Sequence, residues 1–302
     1  MNKNQISFRA YSILNWVLLL LCLLPMGCKT SFHYSFEDES GPVFEGNFRN
    51  LEFNEGRDTL LIVSLNIEFA NHFEEAIDLL RDGKLKDFDI LLLQEMDEKS
   101  THKMAKELEC EYIYYPSINH PKQKKLVGNA ILSRWPIKSR YKLKLPHPSV
   151  YPMPLKFTLH KFRKTSTVAL IKINNQEIAF YSLHGAAIKP SESRGNISKT
   201  IVNDILLHNY TQCMVGGDFN TVGWGDINQV IQPFDSINME WITKEVGRTI
   251  GSVRSVLFFI KSSAFQADHL FSRNLRVGES GKIETDEISD HYPIWAKIII
   301  DQ

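Results

Sequence analysis

The stretch GGDFNT, Gly216 to Thr221, follows the apolar run CMV. Two glycines, an aspartate and an asparagine thus stand at the end of a strand-like segment, and their presence there needs an explanation. Gly, Asp and Asn are common turn residues, so a tight turn alone would explain the pattern. A site would explain it as well: the glycines would let the backbone turn sharply, and Asp218 and Asn220 would leave a buried strand together and face one substrate. The rest of the sequence has to decide between these two interpretations.

Polar residues also end or begin several other apolar runs. Short β-branched apolar runs predict buried strands, and carboxylates, amides and imidazoles stand at their ends. In chain order these residues are Asn66, Glu95, His184, Asp218, Asn220, Asp268, His269, Asp290 and His291. Ionisable groups at the ends of buried strands are costly unless they pair or bind a metal. The set therefore predicts a site at one sheet edge, with His269 more simply interpreted as a structural histidine.

The secondary-structure pattern alternates strands and helices early in the chain and is dominated by strands later. Apolar residues at helical spacing predict helices that begin near Phe73 and Lys99 and a third over residues 191–207. Asn174 and Asn175 separate two strand-like runs and indicate a hairpin. Since several strands follow one another without a helix between them, two packed sheets with helices outside fit better than one parallel sheet.

Three late segments complete the strand prediction: SVLFFI at 255–260, ADHLFSR at 267–273 and HYPIWAKIII at 291–300. The chain has 302 residues, 43% of them hydrophobic and 23% charged, which is an ordinary globular composition. That length supports a sizeable core in one domain or at most two. The formal net charge is zero, so no basic field over the whole chain indicates a polyanionic partner.

The N-terminal segment has the pattern of an export signal. Lys3 and Arg9 precede a short apolar run, residues 13–27, which is followed directly by Cys28. The run is shorter than the roughly 20 apolar residues that a membrane span needs. LPMGC resembles a bacterial lipobox, although Pro25 takes the position where the usual box has leucine. We expect a lipoprotein signal, with plain secretion and an uncleaved anchor as alternatives.

These features set the expected domain boundaries and location. Residues 1–27 are predicted to be a lipoprotein signal peptide, residues 28–50 a polar tether and residues 51–302 a single domain. The domain would then lie outside the cytoplasm, attached to a bacterial membrane through lipid on Cys28. After this segment only Cys110 and Cys213 remain. A disulfide between them is one alternative, and burial of Cys213 as a small core residue is the simpler one. No His/Cys spacing predicts a zinc site.

The order N…QE…H…GDFN…DH…SDH resembles that of the endonuclease/exonuclease/phosphatase superfamily. That group includes DNase I-like nucleases, abasic-site endonucleases, inositol-phosphate phosphatases and bacterial sphingomyelinases. The resemblance extends over about residues 60–300, and GDFN and SDHYPI are its most specific parts. It implies a four-layered α/β sandwich of the DNase I type, in which two mainly antiparallel sheets pack face to face with helices outside. This agrees with the strand pattern.

The resemblance also implies a metal site and a reaction, the hydrolysis of phosphoester bonds. By resemblance Glu95 binds Mg²⁺ or Mn²⁺, while Asn66 and Asp290 help to hold the ion. A hard divalent cation suits such oxygen ligands. The metal would neutralise charge on the phosphate and on the leaving oxygen.

Five further residues receive catalytic roles from the resemblance. Asp218 would orient or deprotonate the attacking water, and Asn220 would hold that geometry or bind a phosphate oxygen. His291 would donate to the phosphate, with Asp268 bonded to its other ring nitrogen and fixing the tautomer. His184 would contact the phosphate from the other side or protonate the leaving group.

The substrate is left open by the sequence. We expect an extracytoplasmic phosphodiesterase, monomeric and acting on nucleic acid or phospholipid; the alternatives are a phosphomonoesterase on inositol or sugar phosphates and a non-catalytic binding lipoprotein. The basic segments Lys122–Lys125 and His160–Lys164 would suit a nucleic-acid backbone, and the proline-rich loop Leu145–Lys156 would suit a membrane. Ordinary solvent-exposed surface is the simpler explanation of each. Arg194 is a further candidate for phosphate contact.

Overall fold

The computed structural model describes residues 41–50, 57–120, 123–146, 164–185, 191–251 and 265–300. The predicted signal peptide, Cys28, the strand predicted at 255–260 and most of the proline-rich and basic loops lie outside the described residues. Within the described ranges, no helix is both long enough and apolar enough to cross a membrane.

Thirteen strands and four helices are described. The strands are β1 Phe44–Asn47, β2 Thr59–Asn66, β3 Ile90–Met96, β4 Glu111–His120, β5 Lys125–Ser133, β6 Ile137–Lys144, β7 Thr165–Ile173, β8 Gln176–His184, β9 Cys213–Asp218, β10 Met239–Trp241, β11 Asp268–Arg273, β12 Arg276–Lys282 and β13 Ile294–Ile299. The helices are α1 Phe73–Arg81, α2 Glu98–Glu107, α3 Ser191–Leu207 and α4 Trp224–Asp235, and a short 3-10 turn spans Glu68–Ala70.

The strands form two sheets. The first has seven strands in the order β1-β4-β5-β3-β2-β13-β12, and the second has six in the order β10-β11-β9-β8-β7-β6. Each sheet contains one parallel pair, β2 with β3 and β8 with β9, and its other neighbours are antiparallel. In both parallel pairs the carboxyl ends of the strands lie at one sheet edge, where the polar residues stand.

The two sheets and their helices pack as four layers, with an apolar cluster between each pair of adjacent layers. The cluster between the sheets includes Ile62, Leu92 and Phe180 from both of them. A second cluster joins the outer face of the first sheet to α1 and α2, and a third joins the second sheet to α3 and α4. Burying both faces of each sheet is the reason for the near-continuous apolar runs in the sequence. The expected four-layered α/β sandwich is confirmed.

The structure departs from the sequence prediction at several elements. Phe44–Asn47, which we assigned to the tether, forms β1 and pairs with β4 in register from Phe44 opposite Tyr114. The helix α4 and the strands β4, β6, β10 and β12 were not predicted. Cys110 and Cys213 are both buried and free, so the alternative of a disulfide between them is wrong.

The glycines of GGDFNT serve close packing, not a turn. Gly216 and Gly217 both lie inside β9. A Cβ on Gly216 would come within 2.5 Å of the Leu270 side chain, and one on Gly217 within 1.9 Å of the Leu183 carbonyl oxygen. Gly217 also has a φ of 147°, which side-chain-bearing residues rarely adopt. The expectation of a sharp turn at these glycines is therefore wrong, and β9 instead lies tightly against its neighbours.

Candidate active site

The strand register brings the predicted polar residues to one edge of the sandwich. His184, at the end of β8, stands beside Asp218 at the end of the parallel strand β9. Asp268, which begins the antiparallel strand β11, lies opposite Asp218 on the other side. Asn66 ends β2 in the facing sheet and donates from Nδ2 to Asp218 Oδ2 over 3.0 Å, so the cluster joins both sheets.

Asp218 is the most heavily bonded carboxylate of the cluster. Besides Asn66, it accepts from the backbone N–H of Asn220 at 2.7 Å and from Asn220 Nδ2 at 2.9 Å. Burial raises the pKa of Asp218 to about 6, against the opposing effect of the neighbouring His291 charge. Asn220 has a left-handed φ of 55° and also donates to the Gly185 carbonyl at 3.1 Å, so it ties the loop after β9 to the end of β8.

Glu95 lies in an irregular part of β3 that changes the direction of its side chain. The pairing of β3 with β5 shifts register between Leu93 and Met96, and Glu95 has a φ of 58° within this bulge. Bulges re-aim side chains beside active sites, and left-handed backbone costs a non-glycine residue about 1–3 kcal/mol. Burial raises the pKa of Glu95 to about 7, the charge of Lys164 opposes this rise, and Asp218 and Asp290 add to it.

His291 is held by a second carboxylate. Its Nδ1 lies 2.9 Å from Asp268 Oδ2, and its Nε2 lies 3.9 Å from Asp218 Oδ2. Burial opposes a charge on this ring, but Asp268 and Asp218 outweigh it and hold the pKa of His291 well above its ordinary value. The ring is therefore an imidazolium at neutral pH, with Nε2 directed toward Asp218.

Two hydroxyl residues that the sequence analysis missed fix this pair. Thr249 donates to Asp268 Oδ2 over 2.6 Å and accepts from the backbone N–H groups of Ala267 and Asp268. Ser289 donates to the Asn66 carbonyl over 2.6 Å and accepts from the His291 N–H at 3.1 Å. The quoted SDH motif contained Ser289 but gave no partner for it. No local pattern around Thr249 indicated a role.

His184 lies on the other side of Asp218. Its Nε2 is 3.5 Å from Asp218 Oδ2 and 3.7 Å from Glu95 Oε1. Burial, and next the positive charges of Lys164 and His291, lower the pKa of His184 well below its ordinary value. The site thus contains a neutral imidazole and a cationic one, with Asp218 between them.

Three other polar or charged residues that the sequence singled out lie around this cluster. Asp290 is exposed and accepts weakly from Ser289 Oγ at 3.5 Å. Arg194, a candidate for phosphate contact, is instead bound at 3.2 Å to Asp226 and donates to the Asn220 carbonyl at 2.8 Å, so it supports the loop. Lys164, which we assigned only to a basic surface segment, acts electrostatically on Glu95.

His269 is fully buried, as its structural interpretation requires. Its Nε2 lies 2.8 Å from Thr221 Oγ1, and its ring contacts Phe219 and Trp241 edge-on. Burial lowers the pKa of His269 to about 4. The ring is a neutral core group beneath the site.

The donor set of the site fits a divalent cation. Ligand atoms of Asp218, Asp268 and His291 lie within 4.8 Å of one another, but the imidazolium of His291 is bonded to Asp268 and is a poor ligand. Glu95 is the better candidate for a metal ligand. Burial and two neighbouring carboxylates raise its pKa, and a bound cation would stabilise its ionised form. Among the described residues, the Asn66 Oδ1 accepts only from the Glu68 N–H, so it keeps a lone pair for a metal.

Comparison with known proteins gives one family. The sequence model of the Endonuclease/Exonuclease/phosphatase family matches residues 63–291. A search of curated proteins finds no match.

Solved structures with the same fold include three from that family or with related activities. An endonuclease/exonuclease/phosphatase family protein from Bacteroides thetaiotaomicron has a TM-score of 0.59 at 16% identity, over 81% of this chain and 98% of its own. D. rerio TDP2, complexed with a single strand DNA product, has a TM-score of 0.62 at 14% identity, over 80% and 99%. The B. thetaiotaomicron mannosyl-6-phosphatase Bt3783 has a TM-score of 0.57 at 14% identity, over 80% and 100%. At these identities the likeness shows the fold.

Proposed function

Because the chain belongs to the endonuclease/exonuclease/phosphatase family and is a hydrolase acting on phosphoester bonds, we propose that it is a divalent-metal-dependent phosphodiesterase that acts outside the cytoplasm. The observation that carries the proposal is the arrangement around Asp218. The cationic His291, buttressed by Asp268, faces Asp218 across 3.9 Å. That distance is too long for a direct hydrogen bond, so His291 Nε2 is left to donate to a phosphate oxygen and Asp218 Oδ2 to accept from a water that lies beside the pair.

In this proposal Asp218 orients and deprotonates the attacking water. With a pKa of about 6 it is ionised at neutral pH and still basic enough to accept a proton. Asn66 and Asn220 hold its carboxylate from two sides, so that its free lone pairs face the substrate. Preorganised groups of this kind lose no free energy to reorientation during the reaction.

His291 donates from Nε2 to the phosphate, and Asp268 keeps the ring charged and correctly oriented. His184, which is neutral, contacts the phosphate or leaving group on the Glu95 side as a hydrogen-bonding group without net charge. Glu95, Asn66 and Asp290 are the residues that would hold the metal. When bound, Mg²⁺ or Mn²⁺ would neutralise charge on the phosphate and the leaving oxygen.

The substrate proposal follows the sequence analysis and stays at the level of a diester in nucleic acid or phospholipid. The related folds include a protein bound to a DNA product and a sugar phosphatase, so cleavage of a monoester is the runner-up. Location rests on the N-terminal sequence: a lipid on Cys28 would attach a monomeric domain to a bacterial membrane, outside the cytoplasm.

The activity test uses the protein without residues 1–28, stripped of metal and then assayed with and without Mg²⁺ or Mn²⁺. The diester panel is plasmid DNA, sphingomyelin and a chromogenic bis-ester, and the monoester panel is inositol and sugar phosphates. We expect metal-dependent diester turnover that Glu95→Gln and His291→Gln abolish and that Glu279→Gln, at an exposed distant position, leaves unchanged. Turnover of monoesters alone would replace the proposal with the runner-up.

The location test uses the full chain in a bacterial host. Labelled fatty acid should be incorporated into the protein, and the protein should fractionate with membranes. Cys28→Ser should lose both properties. An unlabelled wild-type protein in the cytoplasmic fraction would contradict the proposed location.

A further inference from the structure

A buried polar layer lies between the two sheets, directly beneath the site. Ser64 precedes Asn66 by two residues in β2, and Ser182 precedes His184 by two residues in β8. Side chains two residues apart in a strand point to the same face, so each serine lies one step below its site residue. Both serines are buried. At these two strands the site therefore rests on hydroxyl groups and not directly on apolar side chains.

Gln94 of β3 reaches across this layer and is fully buried. Its Nε2 donates to the carbonyl of Leu92 in its own strand at 2.9 Å and to Ser182 Oγ in the facing sheet at 3.1 Å. Ser64 Oγ lies 3.5 Å from the same nitrogen. One amide group therefore links β3 of the first sheet to β8 of the second.

Ser182 makes a second bond between the same two strands. Its Oγ donates to the Leu93 carbonyl at 3.0 Å. The register shift between β3 and β5, which contains Glu95, begins after Leu93. The carbonyl of Ser182 in turn accepts from Ser166 Oγ at 3.0 Å, so this serine is itself held in its sheet. The Ser182 hydroxyl therefore fixes the start of the Glu95 bulge from the facing sheet.

Stability alone does not explain the amide of Gln94. Among the residues that the structure describes, none forms a hydrogen bond with Gln94 Oε1. A buried acceptor without a partner lowers the free energy of unfolding. A methionine of similar size would remove this cost and extend the apolar cluster to which Leu92 belongs. What the amide provides is the bond across the two sheets, which indicates a positioning role.

The two sheets carry different parts of the site. The proposed metal ligands Asn66 and Glu95 lie in β2 and β3, and Asp290 lies just before β13, all in or next to the first sheet. His184 and Asp218 end two strands of the second sheet. The distance between the sheets at this edge therefore sets how the metal ligands meet the catalytic groups.

We propose that Gln94 and Ser182 form a cross-sheet link that aligns the metal-binding part of the site with its catalytic part. The link sets the bulge at Glu95 and holds Glu95 Oε1 3.7 Å from His184 Nε2. Both are positioning residues that lie beneath the substrate and do not contact it. This inference rests on the proposed phosphoesterase function. It adds two residues to which the sequence resemblance assigned no role.

The test compares Gln94→Met, which keeps the size of the side chain, with Ser182→Ala, which removes both cross-sheet bonds, and with the double variant. Leu92→Met is the matched control, since Leu92 lies on the same face of β3 one layer deeper and Met has a similar volume. Four properties are measured: kcat and KM for the best ester, the affinity for Mn²⁺ by calorimetry without substrate, the thermal unfolding temperature, and the distances across the site in crystal structures of the metal-free proteins.

We expect Gln94→Met to lower kcat about tenfold, because a displacement of about half an ångström between reacting groups has an effect of that order. The distance between His184 Nε2 and Glu95 Oε1 should change by that amount in the crystal structure. KM and the Mn²⁺ affinity should stay within about twofold of the wild type, since the metal ligands belong to one sheet. The unfolding temperature should be unchanged or higher, because an unpaired acceptor has been removed.

Ser182→Ala should lower kcat at least as much as Gln94→Met, and the double variant should lose no more than Ser182→Ala, because the hydroxyl carries both bonds. Leu92→Met should keep the wild-type kcat. Wild-type kcat in Gln94→Met, additive losses in the double variant, an equal loss in Leu92→Met, or unchanged distances would each overturn the proposal. Weaker Mn²⁺ binding together with a lower unfolding temperature in Gln94→Met would also overturn it, in favour of a general role in folding. If the wild type hydrolyses no ester, the proposed activity fails, and the crystallographic distances alone decide whether the link exists.

Discussion

His184 and His291 lie on two sides of the same carboxylate and have opposite charge. Both are largely buried at the same sheet edge, with Nε2 3.5 Å and 3.9 Å from Asp218 Oδ2. Burial disfavours the charge of both rings, yet the pKa of His291 is raised and that of His184 is lowered. Depth of burial therefore does not decide the charge state here.

The difference comes from the second ring nitrogen and from nearby cations. His291 has Asp268 at 2.9 Å from Nδ1. The carboxylates nearest to His184, those of Asp218 and Glu95, lie 3.5 Å and 3.7 Å away and on its Nε2 side. The positive charge of Lys164 also lowers the pKa of His184. Two imidazoles beside the same carboxylate thus differ in charge, because Asp268 stabilises the charged form of His291 and the Lys164 ammonium disfavours that of His184.

The largest expected effect separates the two histidines directly. We expect His291→Gln to lower kcat about 10³-fold, because it removes a charged donor to the phosphate. His184→Gln should lower kcat only about tenfold, since it replaces one uncharged hydrogen-bonding group by another. Steady-state kinetics on the same diester would measure both. Equal losses would show that the two rings do not differ in function as their charges suggest.

Asp268→Asn should make His291 more like His184. Without the neighbouring carboxylate, the pKa of His291 falls toward its ordinary value. On raising the pH, the ring of the variant therefore loses its proton earlier than the ring of the wild type. The alkaline limb of kcat should therefore shift to lower pH, with a loss of about 10²-fold at neutral pH.

A pH profile of kcat from about pH 6 to pH 10 would detect the shift of that limb. Asp235→Asn, at an exposed helix end, serves as the control. A reduced rate with an unshifted limb would indicate that Asp268 acts only on ring orientation.

Thr249→Val tests the support behind the Asp268–His291 pair. The substitution keeps the shape but removes the 2.6 Å hydrogen bond to Asp268 and leaves two backbone N–H groups without an acceptor. We expect kcat to fall about tenfold and the free energy of unfolding to fall by about 1–3 kcal/mol. Thr249→Ser, which keeps the hydroxyl, should recover most of both. Full activity in the valine variant would remove Thr249 from the positioning network.

His269 is a third buried imidazole, which lies outside the catalytic pair. Its pKa of about 4 in the folded state lies below the ordinary value of about 6.5 expected for the unfolded chain. The unfolded state therefore binds more protons as the pH falls. The stability from this group is complete above about pH 6.5 and is lost as the pH falls toward about 4.

Between neutral pH and about pH 5.5, the free energy of unfolding should decrease by about 1 kcal/mol less in His269→Phe than in the wild type. Urea unfolding at each pH would measure this, with His72→Gln as an exposed control. If the wild type and His269→Phe lost stability equally on acidification, the ring would not be the neutral core group described above.

The sequence predicted those parts of the fold and site that local pattern encodes. TLLIVSLN coincides with β2, because burial on both faces gives a nearly continuous apolar run. SESRGNISKTIVNDILL coincides with α3, where isoleucines recur at helical spacing. The candidate site residues could be named since each lies at the end or the beginning of an apolar run. Their roles remain proposals.

The parts that were missed depend on tertiary contacts. Thr249 lies in an irregular segment and acquires its role only through Asp268, which is 19 residues further along the chain. Gln94 and Ser182 lie in apolar runs and are linked only by bonds between the two sheets. The strand β1 has four residues and depends on pairing with β4. Its local sequence contains no comparable apolar run.

The position of β13 has a consequence for the order in which the protein is made. This strand is the last one described, yet it lies inside the first sheet between β2 and β12. During synthesis from the N-terminus, one edge of β2 therefore stays unpaired until β13 has been made, and His291 is made just before that strand. A nascent chain that has not reached residue 291 would have no complete site. Hydrolysis of phosphoesters would thus begin only after residues 291–299 had left the ribosome and paired with β2.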